Sequence, residues 1–304
     1  MKQEIKIGTR GSKLALWQAN YVKSYLEKNF HDFSYQIKII KTTGDLNLKD
    51  NLDNLGGRGV FVKEIQNALI NKEIDVAIHS YKDLPTKNPN ELEIISVSPR
   101  EDERDVLISK NGDNFYKLVS KSIIGTGSNR RTEQLKILRD DLIVKPLRGN
   151  IDSRIGKVLN NELDAIVIAA AGINRLGLTK HISYHFDFDE IIPSPLQGYI
   201  AIESRKDFSL KSLFYGLSEN NDKFIAKYES KALLLLNGSC DLPFGFNIRN
   251  FNSDFQCRFF LKSKDNVYSG SEILKKENFD KNFNNIIENI SSHIDLSENL
   301  NILN

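Results

Sequence analysis

The sequence predicts an α/β fold built twice over, followed by a smaller α+β segment. Three observations carry that prediction. The first is an internal repeat: residues 7–12 read IGTRGS and residues 124–128 read IGTGS. Arg58-Gly59 precedes a helical stretch and then NKEIDVAI (71–78), just as Arg148-Gly149 precedes a helical stretch and NNELDAIVI (160–168). The second is the character of those last runs. DVAI and AIVIA are continuous and apolar, which fits parallel strands covered on both faces. The third is a pair of breaks, the charged SPREDERD (98–105) and the Pro-interrupted IIPSPLQG (191–198). The chain is therefore expected to leave a first domain (1–98 plus 195–217), build a second (99–194), return, and end in a third (218–304). Two connections between two domains make a cleft that can hinge.

Each repeat unit reads, in order, as strand, small-residue loop, helix, second strand, Arg-Gly turn, helix and buried strand. In the second unit Ile123 and Ile124 close a strand, Gly125, Thr126, Gly127 and Ser128 make the turn, and Thr132–Leu135 read as helix. Ligands of such sheets sit beyond the carboxyl ends of the strands, where both IGT loops fall. The third segment holds a helix, the loop NGSCDLPFG (237–245) and the alternating strand FQCRFFL (255–261). It closes with an amphipathic helix whose Phe283, Ile286, Ile287, Ile290 and Ile294 recur at helical spacing.

A chain of 304 residues with 40% hydrophobic and 27% charged residues has the composition of a soluble globular protein. Its net charge of +2 argues against broad nucleic-acid binding. The opening MKQEIKIGTR has no apolar run suited to a leader, and no stretch of ~18 apolar residues exists to span a membrane. Two cysteines without a leader point to a reducing compartment, so a cytoplasmic protein without disulfides is expected.

The chemistry concentrates in arginines. Arg130 and Arg131 fall at or near the first turn of a helix, where the free N–H groups and the dipole already disfavour cations. An anion carrying several charges would explain them. Arg10 sits in the counterpart loop, Arg148 and Arg154 flank LRGNIDSR, about two turns apart if that stretch is helical, and Arg175 follows AAAGIN. Each alone reads as a surface arginine; together they converge on the expected cleft and would grip carboxylates or phosphates. In IDVAIHSYKDLP (74–85) a buried strand runs into Ser80, Lys82 and Asp83. Asp83 reads either as a turn aspartate or as a carboxylate, kept ionised by the guanidiniums, that stabilises a developing cation or handles a proton. Cys257 alternates with Phe255 and Phe259 and belongs to a core. Cys240, on a loop between glycines and a proline, is either incidental or reactive. His181 and His185 lack the glutamate of a zinc-protease helix, so no metal is expected. No GxxxxGK[ST] occurs to support nucleotide hydrolysis.

Taken together the residues resemble the porphobilinogen deaminase (hydroxymethylbilane synthase) family of tetrapyrrole biosynthesis. The matching stretches are IGTRGSKLALWQ (7–18), TTGD (42–45), GGRGVFVKE (56–64), AIHSYKDLP (77–85), REDERD (100–105), IGTGSNRR (124–131), LRGNIDSR (147–154), AAAGINRLGL (169–178) and GSC (238–240). The last sixty residues match only in general character. The resemblance implies two periplasmic-binding-protein-like α/β domains joined by two hinge segments, plus a smaller α+β domain carrying the cofactor cysteine. It implies a dipyrromethane cofactor in thioether linkage to Cys240, and a transferase that condenses four porphobilinogens head to tail, releases ammonia at each step, and yields hydroxymethylbilane by hydrolysis. It implies that Asp83 is catalytic, stabilising the azafulvenium cation left when ammonia departs. Lys82, Ser128, Arg130, Arg131 and Arg154 would hold the cofactor carboxylates. Arg10, Ser12, Arg148, Arg154, Arg175 and Gln197 would hold substrate and the growing chain. A monomer with a small-molecule substrate, and neither nucleic acid nor membrane as partner, is expected.

Three departures stand out: Gly11 where many relatives have a polar residue, Leu196 in PLQG where the family has GQG, and the apolar ALLLL (232–236) before the cysteine loop. A second class also fits the repeat. Two-domain solute-binding or ligand-sensing proteins close over small anions without chemistry, but they have no need of an exposed loop cysteine in a third domain.

Overall fold

The computed structural model describes residues 2–42, 62–236, 242–264 and 266–294. The Arg58-Gly59 turn, most of TTGD and Cys240 lie outside the described residues.

The first unit runs β1 (Gln3–Thr9), α1 (Lys13–Asn29), β2 (Phe33–Ile39), α2 (Lys63–Ile70), β3 (Val76–Ser80) and β4 (Leu92–Val97). The second runs β5 (Asp105–Ser109), β6 (Ile123–Thr126), α3 (Asn129–Leu138), β7 (Ile143–Pro146), α4 (Ile151–Leu159), β8 (Ala165–Ala169), α5 (Ala170–Arg175) and β9 (Tyr184–His185). After the return come β10 (Ile200–Arg205), α6 (Asn220–Leu235), β11 (Phe244–Phe251), β12 (Asp254–Ser263), β13 (Asn266–Leu274) and α7 (Phe279–Ser292).

Two five-stranded sheets result, in the orders β2-β1-β3-β10-β4 and β7-β6-β8-β5-β9, with a three-stranded sheet β11-β12-β13 beside them. The repeat shows in corresponding contacts. Lys6 N–H donates to Asp75 Oδ2 and Ile123 N–H to Asp164 Oδ2, each at 2.8 Å, so one aspartate in each half ties its strand to the neighbour. The expectation of parallel sheets needs correction. β1, β2 and β3 are parallel, as are β6, β7 and β8, but β10 runs antiparallel to β3 and β4, and β5 antiparallel to β8 and β9. Both sheets are mixed because their fourth strand comes off a crossing segment rather than a helix.

Helix α1 forms because Ser12 caps it, its hydroxyl accepting from Ala15 N–H at 3.3 Å, and because Gln18, Ala19, Val22 and Leu26 make one buried stripe. It packs on the first core with Ile5, Ile7, Val76, Ile78, Ile200 and Ile202, all essentially fully buried. Side chains of that kind stabilise by about 1.5–3 kcal/mol each. In the third region Phe279, Phe283, Ile286, Ile287 and Ile290 of α7 are buried against Phe255, Cys257 and Phe259 of β12.

The two crossing segments lie side by side. Ser98 N–H donates to Ile200 O at 2.9 Å and Ser98 Oγ accepts from Ile200 N–H at 3.0 Å. Gly198 sits at φ +96°, and a Cβ there would stand 2.3 Å from Glu101 O, so no larger residue fits. Leu196, two residues earlier, takes φ +65°, a left-handed conformation costing about 1–2 kcal/mol for a side chain of this kind. Its N–H is held by Glu229 Oε2 of α6 at 2.6 Å and its side chain is buried in the third core, which together hold the turn.

Candidate active site

Ser128 caps α3 by accepting from Arg131 N–H at 3.4 Å, which points the helix start at the end of β6. Gly127 is required there, since a Cβ would meet Leu147 O at 2.7 Å. Arg130 and Arg131 follow in the first turn and are buried. They converge on Asp105, the first residue of β5. Arg131 Nε and Nη2 donate to Asp105 Oδ1 at 2.9 and 2.7 Å, and Arg130 Nη2 stands 2.8 Å from Oδ2. Asp105 is fully buried; burial alone would raise its pKa, but Arg130 and Arg131 outweigh that and hold it well below the usual carboxylate range.

This changes the reading of the arginine pair. Part of its charge already has a permanent partner in Asp105. In the sequence Asp105 ends the charged connector SPREDERD. Its visible signal was an acid opening the otherwise apolar strand DVLIS.

The turn after β3 is a single 3-10 turn, Tyr81–Asp83. Lys82 is half-buried and its Nζ donates to Gln197 Oε1 at 3.0 Å. Burial, followed by the nearby Arg131, lowers its pKa to about 8, against the opposing pull of Asp83 and Asp105. Arg154, half-buried in α4, donates from Nε to Gly149 O at 2.6 Å, and burial together with Arg131 brings its pKa to about 10. Asp83 influences both cations. The structure thus brings Lys82, Asp83, Arg130, Arg131 and Arg154 into one cluster. Asp83 itself is exposed, at the open side of this cluster.

The remaining residues stand further apart in role. Ser12 spends its hydroxyl on the α1 cap. Arg10 is half-buried just past β1, and Arg148 just past β7. Arg148 is not in a helix with Arg154, because Gly149 at φ +109° and the cap Asn150 intervene before α4 begins. Arg175 is buried at the end of α5, donates to Gly198 O at 2.6 Å, and lies 5.8 Å from the Trp17 ring centroid. Gln197 is fully buried. Cys257 is fully buried, and burial pushes its thiol well up, away from reactivity. Among the described residues no His, Cys, Asp and Glu group could hold a metal, and no helix is long and apolar enough to cross a membrane.

Comparison with known proteins decides the family. The family model described as "porphobilinogen deaminase, dipyromethane cofactor binding domain" matches residues 5–210. The chain belongs to the porphobilinogen deaminase family. Relatives of that name include one from Campylobacter jejuni subsp. doylei, 41% identical over 88% of this chain and 87% of its own. One from Sulfurimonas denitrificans is 36% identical over 91% and 90%, and one from Alkaliphilus metalliredigens 41% over 79% and 77%. Membership makes the chain a transferase, with dipyrromethane as its cofactor. Among solved structures, the methionine-binding protein MetQ superposes with a TM-score of 0.45 at 11% identity, over 75% of this chain and 95% of that one. A TRAP periplasmic solute-binding protein from Desulfovibrio salexigens does so with 0.45 at 10% identity, over 76% and 77%.

The residues present fit such a cofactor. Lys82 and Arg154 both have pKa values lowered first by burial and then by the neighbouring Arg131 guanidinium, so each would gain from an added anionic partner. Thr126 Oγ1, buried at the end of β6, has no hydrogen-bond partner in the protein. A ligand bearing several carboxylates answers both.

Proposed function

We propose that this chain condenses four porphobilinogen molecules head to tail, with loss of ammonia at each step and hydrolytic release of hydroxymethylbilane, in tetrapyrrole biosynthesis. The observation that supports this reading best is the gathering of four cations, Lys82, Arg130, Arg131 and Arg154, around one exposed carboxylate, Asp83. Dipyrromethane, when bound, supplies the pyrrole carbon to which the first substrate is joined. Lys82, Ser128, Arg130, Arg131 and Arg154 would hold its acetate and propionate groups, through charge-assisted hydrogen bonds worth roughly 1.5–3 kcal/mol each. Arg10, Ser12, Arg148, Arg154, Arg175 and Gln197 line the region where substrate and product chain lie.

Asp83 performs the chemistry that cations cannot. A carboxylate beside a pyrrole N–H accepts its hydrogen bond and favours the positive charge that develops as ammonia leaves the substrate. It could then take the α-proton that the attacking terminal pyrrole loses as that ring regains aromaticity. The domain limits 1–98 plus 195–217, 99–194 and 218–304, a cytoplasmic location and a monomeric state complete the proposal.

Cys240 is the attachment point, and intact mass tests it. The wild-type protein carries the mass of a covalent dipyrromethane and reacts with Ehrlich's reagent. Cys240→Ser shows neither and has little activity, whereas Cys257→Ser keeps both and loses only stability. An adduct on a Cys257 peptide overturns the attachment, and a wild-type protein with neither adduct nor turnover overturns the function.

A further inference from the structure

Gln197 has an unusual set of partners for a residue expected to touch substrate. Its Nε2 donates to Glu103 O at 2.7 Å and to Asp105 Oδ1 at 2.9 Å. Its Oε1 accepts from Lys82 Nζ at 3.0 Å and from Arg131 Nη2 at 3.4 Å. An amide has two donor hydrogens and two acceptor lone pairs, and all four are engaged by the protein. The partners come from both sides of the cleft: Lys82 from the turn after β3, and Glu103, Asp105 and Arg131 from the second half.

The backbone beneath that amide is pinned as well. Gln197 N–H donates to Ser194 O at 3.1 Å, and Gln197 O accepts from Arg100 Nε at 2.9 Å. Leu196 and Gly198 on either side are held in positive-φ conformations by Glu229 and by the contact with Glu101. The side chain therefore stands where the fold puts it. A substrate carboxylate could reach the amide only by breaking one of its existing bonds.

We propose that Gln197 is a positioning residue rather than a substrate ligand: its amide joins Lys82 to the Asp105–Arg131 pair and so sets the separation of the charges on the two walls of the cleft. The inference rests on the function proposed above. Glutamine is the side chain this place demands. A glutamate would accept from Lys82 and Arg131 equally well, but it would have no proton to give Asp105 or the Glu103 carbonyl. A neutral bridge also adds no negative charge of its own beside Lys82.

The test compares wild type with Gln197→Met, which keeps the length and removes the polar atoms, and Gln197→Glu, which keeps the shape and adds charge. Two readouts are used: steady-state kinetics, and the pH midpoint of Lys82 from competitive trace acetylation mapped by peptide mass, which needs no turnover. Losing an acceptor disfavours the ammonium, so Gln197→Met moves the Lys82 midpoint below that of wild type, and Gln197→Glu moves it above. In Gln197→Met the dipyrromethane mass stays, kcat falls 10- to 100-fold and KM for porphobilinogen changes less than three-fold. A raised KM with unchanged kcat would make Gln197 a substrate ligand and overturn the proposal. Equal Lys82 midpoints in all three proteins would overturn it too, even if both variants were less stable. Should wild type lack both adduct and turnover, the function proposed above fails, while the acetylation midpoints still decide whether Gln197 governs Lys82.

Discussion

The two halves of the cleft share a scaffold and differ in what they put on it. Ser12 caps α1 and Ser128 caps α3, each accepting from the N–H three residues on. After the cap the first half has Leu14 and Ala15, and the second has Arg130 and Arg131. The neighbouring antiparallel strands match this change. Ile200 pairs with Ser80, the last residue of β3, and Asp105 pairs with Ala169, the last residue of β8. Asp105 thus occupies in the second sheet the place that Ile200 occupies in the first. Counting on from those strand ends, Lys82 and Asp83 correspond to Ala171 and Gly172. A Cβ at Gly172 would meet Ile151 Cδ1 at 2.7 Å, so that position has no room for a carboxylate. One half has become an anion cradle with its own counter-ion, while the other keeps apolar packing at that spot and carries the reactive turn. The difference is an exchange of whole sets of residues, because two buried guanidiniums without Asp105 would be costlier than either set complete.

The largest effect should come from breaking the charged set. Asp105→Ala strands two buried guanidiniums and should cost about 3–5 kcal/mol in urea unfolding, against about 0.5–1.5 kcal/mol for Ile200→Val at the matching place. The triple change Asp105→Ile, Arg130→Leu, Arg131→Ala imports the first half's set. It should recover most of the lost stability and carry no dipyrromethane mass; a triple variant that loads the cofactor would refute the division. Arg131→Leu alone should leave mostly apoenzyme, whereas Arg148→Leu should load and then accumulate species with extra pyrroles, as native mass spectrometry resolves.

A second expected effect falls on chemistry alone. Asp83→Asn removes charge and proton acceptance from an exposed side chain. Turnover should drop by more than ~10²-fold with stability within about 0.5 kcal/mol of wild type. Near-normal turnover would return Asp83 to the status of a turn residue. The smallest effect sharpens the comparison of the loops. Ser12→Ala and Ser128→Ala should each cost about 1 kcal/mol as lost caps, but only Ser128→Ala should reduce the share of protein carrying the adduct.

The α7 stripe and the burial of Cys257 were legible because each rests on a short-range period, and the repeat because its motifs recur in the same order in both halves. Strand direction was not, since a strand covered on both faces reads as apolar whichever way it runs. The non-helical placement of Arg148 was hidden by Gly149, whose positive φ ends one geometry before α4 starts another. Asp105 was hidden by its neighbours: inside REDERD it looks like solvated charge, and only the register of β5 against β8 turns it inward. The engagement of the Gln197 amide by both walls was not legible, because it joins residues 66 to 115 positions away in the chain. Leu196 shows a limit of another kind, for its left-handed backbone is sustained by Glu229, 33 residues away in the chain.

The place of β10 bears on the order of events as the chain is made. β3 and β4 are both finished by residue 97, yet each is hydrogen-bonded to β10, which ends at residue 205. At roughly 5–20 residues per second, the intervening 205 − 97 = 108 residues take about 5–22 s to synthesise. Every strand of the second sheet lies between residues 105 and 185, so that sheet can close while the first still waits with two unjoined edges. The N-terminal half of this enzyme is thus the later one to mature on the ribosome, and for those seconds its open strands are the part of the nascent chain most in need of protection from misplaced pairing.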